Sequence, residues 1–445
     1  MHTSFFSRLT SSLYFIARCA AMHKISKIKG FPDLLWPEVS KYTFMEDTAR
    51  AVFAGYGYQE IRIPVLEKTE LFARSIGEET DIVQKEMFTF PDRKGRQMTM
   101  RPEATASVAR AYMESTLPAR EQVSKLFTFG PMFRYERPQK GRQRQFHQVN
   151  AELFGSPSPR ADAEIITMLW KYLHQLGLTN LELLINSLGC PQCRPHFSKH
   201  LQTYLAQQAT QDLCPDCRRR QDTNPLRILD CKVPGCQTIA DKAPKLEDHL
   251  CQDCREHFAT TTHILRACSI PYTISPRLVR GLDYYQRTTF EVVSTDIGAQ
   301  SSVAGGGRYD GLLEQLGGPP CPGIGFACGM ERLAMLMDAP QEPGLDFYLA
   351  VLDPAALDKG QILAFALRET GLTGQVSFEA KGPKAQLRLA NKLQARYCLL
   401  LGAEEMAADN IVLKDMQNGE QRTLAQSSLS NALNLDLKGS PGADC

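Results

Sequence analysis

FRYERPQKGRQRQFHQVNAELFG, residues 133–155, decides the architecture. It lies in a strand–loop–strand unit: LFTFGPMFRYE (126–136) reads as one strand, RPQKGRQR (137–144) as a loop and QFHQVNAELF (145–154) as a second strand. Side chains alternate faces along a strand. Gln148, Asn150 and Glu152 therefore share one face, and Val149, Ala151 and Leu153 the other. If the polar face points to solvent, it carries no message. If it is enclosed, each group requires a partner, since an unpaired buried polar group costs about 1–3 kcal/mol. The pattern favours a ligand-facing floor. The loop carries Arg137, Lys140, Arg142 and Arg144 and only basic charge.

On the N-terminal side, Pro37 suits a first helical turn. Tyr42, Met45, Ala49 and Val52 then recur at helical spacing, and Gly55 and Gly57 end the pattern. Ile61, Ile63 and Val65 predict a strand, which Pro64 confines to an edge or an interface because it lacks an N–H. On the C-terminal side, Ser158-Pro159 opens a helix with Ile165, Met168, Leu169, Tyr172 and Leu176 on one face, and Leu181, Leu183 and Ile185 form a strand. SSVAGGGRYDG (301–311) has glycines that permit close backbone approach to a ligand. GIGFACGMERLAMLM (323–337) reads as a turn feeding an apolar helix. Its GxG lacks the spacing of a dinucleotide loop, and Met330, Leu333 and Leu336 read as core. After the link DAPQEPGLD (338–346), strands and helices alternate over about 90 residues, a compact α/β domain.

The 445 residues carry 51 Lys plus Arg against 49 Asp plus Glu, a net charge of +2, so any basic surface is local. No run of 18 apolar residues occurs, which excludes a membrane-spanning helix. Of 14 cysteines, eight form four close pairs: Cys190/Cys193, Cys214/Cys217, Cys231/Cys236 and Cys251/Cys254. Close pairs let two sulfurs reach one tetrahedral ion, so the stretch 190–262 reads as an insertion that binds zinc through thiolates. Pairing 190/193 with 251/254 brings entry and exit together and leaves 214/217 with 231/236. Sequential pairing has acceptable spacing too. Disulfides and unligated thiols are the competing readings. Residues 1–32 contain no acid. They read either as an amphipathic transit peptide or as an upstream extension with the functional start near Met22. The first reading is organellar, the second cytoplasmic.

TMRPEAT (99–105), residues 133–155, LVRGLDYY (278–285), SSVAGGGRYDGL (301–312) and GIGFACGMERL (323–333) together resemble the histidine–tRNA ligase family of class II aminoacyl-tRNA synthetases. The resemblance runs from about Ile28 to about Leu435. It implies an α+β fold: an antiparallel sheet flanked by helices, a Cys-rich insertion and a C-terminal α/β anticodon-binding domain. The expected division is an extension (1–22), a core in two parts (23–189 and 263–338), the insertion (190–262) and the anticodon domain (346–435). A homodimer is implied, with residues 37–66 at its interface.

The implied reaction joins L-histidine to tRNA(His) through histidyl-adenylate, with ATP and Mg²⁺ as substrate. By resemblance, Arg134, Glu136 and Arg332 bind ATP, and Arg134 and Arg280 are catalytic. Glu103, Thr105 and Gln148 hold the histidine amino group. Glu152 and Tyr285 contact its imidazole, with Tyr284 and Tyr309 lining the pocket. Arg137 and Gln139 meet the tRNA acceptor end. Ala104 stands where the family commonly has glycine. Two other readings stay open on sequence alone: a histidine-binding regulatory paralogue of ATP phosphoribosyltransferase, and a zinc-dependent tRNA-binding module without catalysis.

Overall fold

The computed structural model describes residues 25–438 except 78, 79, 81, 209–211, 280, 281, 283 and 339–343. The two readings of residues 1–22 thus lie outside the described residues. The chain divides into two units, residues 1–340 and 341–445.

The first unit is built on eight strands: β1 (Gln59–Glu60), β5 (Ser124–Phe133), β6 (Gln145–Phe154), β7 (Glu182–Ser187), β8 (Thr273–Ile274), β9 (Gln286–Val293), β10 (Ser302–Arg308) and β11 (Gly323–Gly329). Their spatial order is β1-β5-β6-β11-β10-β9-β7-β8. The pairs are antiparallel except at the two edges, where β1 runs parallel to β5 and β8 to β7. A small sheet of β2 (Leu66–Lys68), β4 (Gln97–Met100) and β3 (Phe88–Pro91) lies beside it in the chain.

The expected alternation on β6 is observed. Val149, Ala151 and Leu153 enter the main core with Ile165, Ile166 and Leu169 of the helix Pro159–Gln175. The helix Glu38–Ala54 adds Tyr42, Met45, Ala49 and Val52. Its Phe53 is the aromatic hub, with ring centroids 5.4 Å from Phe127 and Tyr172 and 5.9 Å from Phe326.

Two local expectations need correction. Ile61–Val65 is not a strand; pairing with β5 stops at Glu60. The Arg101 side chain takes over as donor, with Nη1 2.8 Å from the Ile63 carbonyl and 3.3 Å from that of Pro64. The edge placement inferred from Pro64 nevertheless holds for β1. Residues 323–329 are no turn but a full central strand, β11, and the helix begins only at Met330.

A buried ionic chain ties the sheet to its helices. Arg308, at the end of β10, is fully buried. Its Nε donates to Asp162 Oδ1 at 3.0 Å, and Nη1 donates to Asp310 Oδ1 at 2.8 Å and to the Ser156 carbonyl at 2.9 Å. Asp162 Oδ2 lies 2.7 Å from His257 Nε2, while Arg287 Nη1 donates to His257 Nδ1 at 3.2 Å. Because Nδ1 accepts, the imidazole proton sits on Nε2 and is donated to Asp162. Burial opposes the charge on Asp162, but the His257 N–H and the Arg308 guanidinium outweigh it and hold its carboxyl below the usual range.

Within the insertion, helices Cys193–Ala206, Pro215–Thr223 and Pro234–Asp241 surround a core of Phe197, Leu201, Leu226, Ile228 and Leu246. The helix Gln252–Ala267 starts at the last thiol pair and runs on past residue 262, so that Leu265 joins the main core.

The second unit has a five-stranded sheet in the order β13-β12-β14-β15-β16: β12 (Phe347–Val351), β13 (Gly374–Val376), β14 (Tyr397–Leu401), β15 (Asn410–Asp415) and β16 (Gln421–Ala425). The first three are parallel, as strand–helix alternation requires, and the last two close antiparallel. Every residue of β12 is buried: Phe347, Leu349 and Val351 face one core, Tyr348 and Ala350 another.

Arg308→Met removes one partner of a buried pair and strands the Asp162 charge, a change that typically costs about 3–5 kcal/mol. The first unit should unfold at clearly lower urea concentration in the variant, with the transition of the second unit unmoved, as followed by circular dichroism.

Candidate active site

The polar face of β6 is enclosed. Towards its start, Gln148 lines a cleft of about 750 Å³ together with Arg134, Glu136, Arg142, Phe146, Ser302–Gly305, Glu331 and Arg332. Arg134 Nε donates to the Pro102 carbonyl at 2.9 Å, and its guanidinium lies over the Phe146 ring at 5.4 Å. Arg332 Nη1 donates to the Ser302 carbonyl at 2.5 Å. Burial lowers the basicity of Arg332, and the neighbouring charge of Arg142 lowers it further. Three arginines crowded into one cleft repel each other, so a polyanion bound between them relieves a strain already present. Glu136 pairs with Arg142, at 2.5 Å. The Glu331 carboxylate is taken up by the His147 main-chain N–H, at 2.8 and 3.0 Å, and by the His147 ring.

At the other end of the same face sits Glu152, fully buried among hydroxyls. Thr105 Oγ1 donates to its Oε1 at 2.7 Å, and the Tyr309 hydroxyl donates to Oε2. Burial pushes the Glu152 carboxyl up to about 8, against the two donors, which pull it down. Glu103 caps the first turn of the helix Thr105–Glu114: its oxygens accept from the Thr105 N–H at 2.7 Å and the Ala106 N–H at 2.9 Å. Burial raises Glu103 as well, opposed by those two N–H groups. Tyr284, Tyr285 and Tyr309 form an aromatic wall, with centroids 4.6 Å apart for Tyr284–Tyr285 and 5.7 Å for Tyr284–Tyr309. Among the described residues, no hydrogen-bond partner reaches Gln148 Oε1 or Asn150 Oδ1, both buried. These two acceptors are left over for something that enters.

The structure thus brings Glu103, Thr105, Glu152, Tyr284, Tyr285 and Tyr309 into one neighbourhood and Arg134, Glu136, Gln148 and Arg332 into the adjoining cleft. Arg280 lies outside the described residues. Arg137 and Gln139 are exposed on the loop. That loop is not uniformly outward: Arg142 turns into the cleft, and the Arg144 guanidinium packs over the Tyr135 ring at 4.0 Å. Ala104 is fully buried, just ahead of the helix Thr105–Glu114.

Sequence reasoning missed Gly325. It stands directly opposite Glu152 in the β6–β11 register, and a Cβ there would lie 1.7 Å from Glu152 Oε2. At Gly306 a Cβ would lie 2.0 Å from the Gly325 carbonyl oxygen. That glycine serves strand packing rather than ligand approach, although Gly305 beside it does line the cleft. No local signal points to Gly325, because its role depends on β11 pairing with β6 and placing it across from Glu152. Glu331 was also missed, although it adjoins Arg332 in the same motif.

The eight thiols of the insertion gather into two groups, Cys190/Cys193/Cys251/Cys254 and Cys214/Cys217/Cys231/Cys236, with the sulfurs of each within 4.8 Å of one another. This is the nested arrangement, not the sequential one. A tetrahedral zinc ion at about 2.3 Å from each sulfur spaces the sulfurs by about 3.8 Å. Cys190 Sγ lies 3.6 Å from Cys193 Sγ and 3.8 Å from Cys251 Sγ, and Cys214 Sγ lies 3.9 Å from Cys231 Sγ. Main-chain N–H groups also point at the sulfurs, Cys251 N at 3.1 Å from Cys193 Sγ and Cys214 N at 3.2 Å from Cys236 Sγ. Such donors stabilise thiolate ligands. The residues present fit the ion.

Comparison with known proteins agrees with this geometry. A family model described as histidyl-tRNA synthetase matches residues 30–333, and one described as an anticodon binding domain matches residues 346–434. The chain is 59% identical over 412 residues to the histidine–tRNA ligase of Nitratidesulfovibrio vulgaris strain Hildenborough, covering 93% of this chain and 99% of that one. It is likewise 59% identical over 415 residues to that of Oleidesulfovibrio alaskensis, covering 93% and 100%. Among solved structures, apo histidyl-tRNA synthetase of S. aureus superposes with a TM-score of 0.78 at 32% identity, covering 92% of this chain and all of that one. With the arginine-lined cleft, the enclosed carboxylate and both family models in place, the chain belongs to the histidyl-tRNA synthetase family.

Proposed function

We propose that this site makes histidyl-adenylate from histidine and ATP and passes the histidyl group to tRNA(His). One observation carries the reading: a single strand face leads from an arginine-lined cleft, at Gln148, to a buried carboxylate ringed by hydroxyls, at Glu152. The regulatory-paralogue reading is not favoured. It leaves the anticodon-binding match at 346–434 without a purpose, and the relatives at 59% identity carry the ligase name.

In the first step a histidine carboxylate oxygen bonds to the α-phosphorus of ATP, and the bond to the bridging oxygen breaks. Pyrophosphate leaves with the electron pair. Two anions must meet, so fixed cations are needed. Arg134 holds the α-phosphate, Arg332 lies by the γ-phosphate, and Arg280 stabilises charge developing at the α-phosphorus. The planar guanidinium fork suits phosphate oxygens better than an ammonium does. Glu136, paired with Arg142, lines the same cleft and belongs to the ATP-binding set. Mg²⁺ arriving with ATP neutralises further phosphate charge.

Glu103, Thr105 and Gln148 receive the amino group. Each Glu103 oxygen already accepts one main-chain N–H and keeps a second lone pair for an ammonium. Glu152 and Tyr285 face the imidazole. Thr105 and Tyr309 each use one lone pair of Glu152; a side chain unable to hydrogen-bond there leaves its remaining capacity unused in a dry pocket, and a site of that kind rejects analogues strongly. In the second step the terminal ribose hydroxyl of the tRNA attacks the histidyl carbonyl and AMP leaves. The exposed Arg137 and Gln139 meet the acceptor end, and residues 346–435 read the anticodon. A homodimer through the segment 37–66 completes the reading. Among the described residues no helix is long and apolar enough to cross a membrane.

Both thiol groups are read as structural zinc sites. Ligation would add to the stability the insertion draws from its buried cluster of Phe197, Leu201, Leu226, Ile228 and Leu246.

Three tests follow. Pyrophosphate exchange into ATP, run with each amino acid in turn, should depend on histidine alone; exchange with another amino acid, or none, would refute the assignment. Glu152→Gln should weaken histidine binding far more than ATP binding, as titration of each would show. The same variant tests the charge state. The folded carboxyl keeps its proton to about pH 8 whereas the unfolded one releases it near 4.5. Between those values the folded state holds the extra proton, so this group's contribution to stability falls as pH rises. Without histidine, the variant should lose less stability than the parent between pH 5 and pH 8, in paired thermal melts. Finally, elemental analysis of protein purified under reducing conditions should find two zinc ions per chain; eight freely titrating thiols in the folded protein would exclude them.

A further inference from the structure

Two side chains beside the neck thiols reach towards the walls of the histidine pocket. Arg194 follows Cys193 directly, and its main-chain N–H donates to the Cys190 carbonyl at 3.1 Å. Its Nη1 donates to the carbonyl of Tyr285 at 3.1 Å. Tyr285 immediately precedes β9, so its carbonyl sits where the strand ladder begins. The anchor is tight. The Leu188 N–H donates to the Arg287 carbonyl at 2.6 Å, and the Arg287 N–H donates to the Gly189 carbonyl at 2.8 Å, which extends strand-like pairing up to Gly189, the residue before Cys190. A Cβ on Gly189 would lie 2.7 Å from Cys193 Cβ. The far side of the neck is anchored too: His257, one turn after Cys254, joins the Asp162–Arg308 pair that precedes Tyr309.

Tyr285 has little freedom to move alone. Its ring lies 4.6 Å from that of Tyr284 and 6.4 Å from that of Tyr309, and a Cβ on Gly307 would come within 3.0 Å of its Cδ1. Tyr309 in turn holds Glu152. A shift at the Tyr285 carbonyl is therefore passed through packed rings to the carboxylate that faces the imidazole. The arginines of the nucleotide cleft sit on other elements, the β5–β6 hairpin and the helix Met330–Leu336.

We propose that Arg194 is a positioning residue for histidine: held beside the four-thiol neck, it fixes Tyr285 through its carbonyl, so that the neck of the insertion sets the geometry of imidazole recognition. The proposal rests on reading Tyr285 as a wall of the histidine pocket.

The test uses the full chain with its bound metal measured. In Arg194→Ala the histidine dissociation constant, measured by calorimetry without ATP, should rise by about tenfold, the scale of one lost charge-assisted hydrogen bond. In the exchange assay KM for histidine should rise in parallel, with KM for ATP, kcat at saturating histidine and metal content held at parental values. Arg194→Lys should recover part of the loss, since an ammonium can donate to the same carbonyl. Parental histidine affinity in Arg194→Ala would overturn the proposal. So would equal losses for histidine and ATP accompanied by lost metal or a lowered melting temperature, which mark a structural role. Failure of the parent chain itself to bind histidine would overturn the pocket reading, and this proposal with it.

Discussion

The buried Arg308–Asp162 pair is the contact on which the active site depends. Neither group touches solvent. Taking two ions out of water is expensive, and the expense is met only when every donor and acceptor is used. Here they are: Asp162 receives Arg308 and His257, and Arg308 also serves Asp310 and the carbonyls of Ser156 and Ser158. One cluster thereby fixes the end of β10, the first turn of the helix Pro159–Gln175 and the helix that leaves the insertion. Asp310 in turn accepts the Gly323 N–H at 3.2 Å and sets the start of β11. Tyr309, between Arg308 and Asp310, has its direction decided by both neighbours.

From that anchor the chemistry follows by packing. Tyr309 reaches Glu152 because Gly323 and Gly325 leave room: a Cβ at Gly323 would lie 2.4 Å from the Tyr309 ring, and one at Gly325 would strike the carboxylate. The glycines of β10 and β11 let neighbouring strands carry a buried acid, a tyrosine and an arginine-lined cleft without a clash. Electrostatics divides the face in two. Around Glu152 burial keeps a proton on the carboxyl and favours a neutral, hydrogen-bonding guest. Around Gln148 the arginines favour a polyanion. Both halves hang on one strand, so the two environments stand at a spacing set by the rise of a β-strand.

The insertion is held to this core at its neck. Four thiols stand where the chain leaves and re-enters, and the helix Gln252–Ala267 continues from them into the main core. The insertion's own apolar side chains, Phe197, Leu201 and Leu226 among them, share one buried cluster with Tyr284, Tyr285 and Tyr309.

Much of this was legible in the residues. Period-two alternation on 145–154 identified the polar face and the core face, because side-chain direction in a strand depends only on sequence parity. Helical spacing located the helices at 38–54 and 159–175, and the close cysteine pairs pointed to thiols that gather in groups of four. What one-dimensional pattern could not supply was anything that depends on which strands become neighbours. Residues 323–329 looked like a turn because glycine is read locally as a breaker; only the β6–β11 register shows that Gly325 is empty to make room for Glu152. Arg101 took over the backbone of Ile63 and Pro64 from a strand ladder, a long-range bond no local propensity encodes. The nested thiol grouping, the inward turn of Arg142 and the Arg308–Asp162–His257 chain likewise join residues far apart in sequence. Sequence by itself determined which chemical groups are present, their faces and the family they belong to. Tertiary structure alone decided which of them meet, because burial, and with it the demand that every charge and polar atom find a partner, exists only once the strands and helices have closed around them.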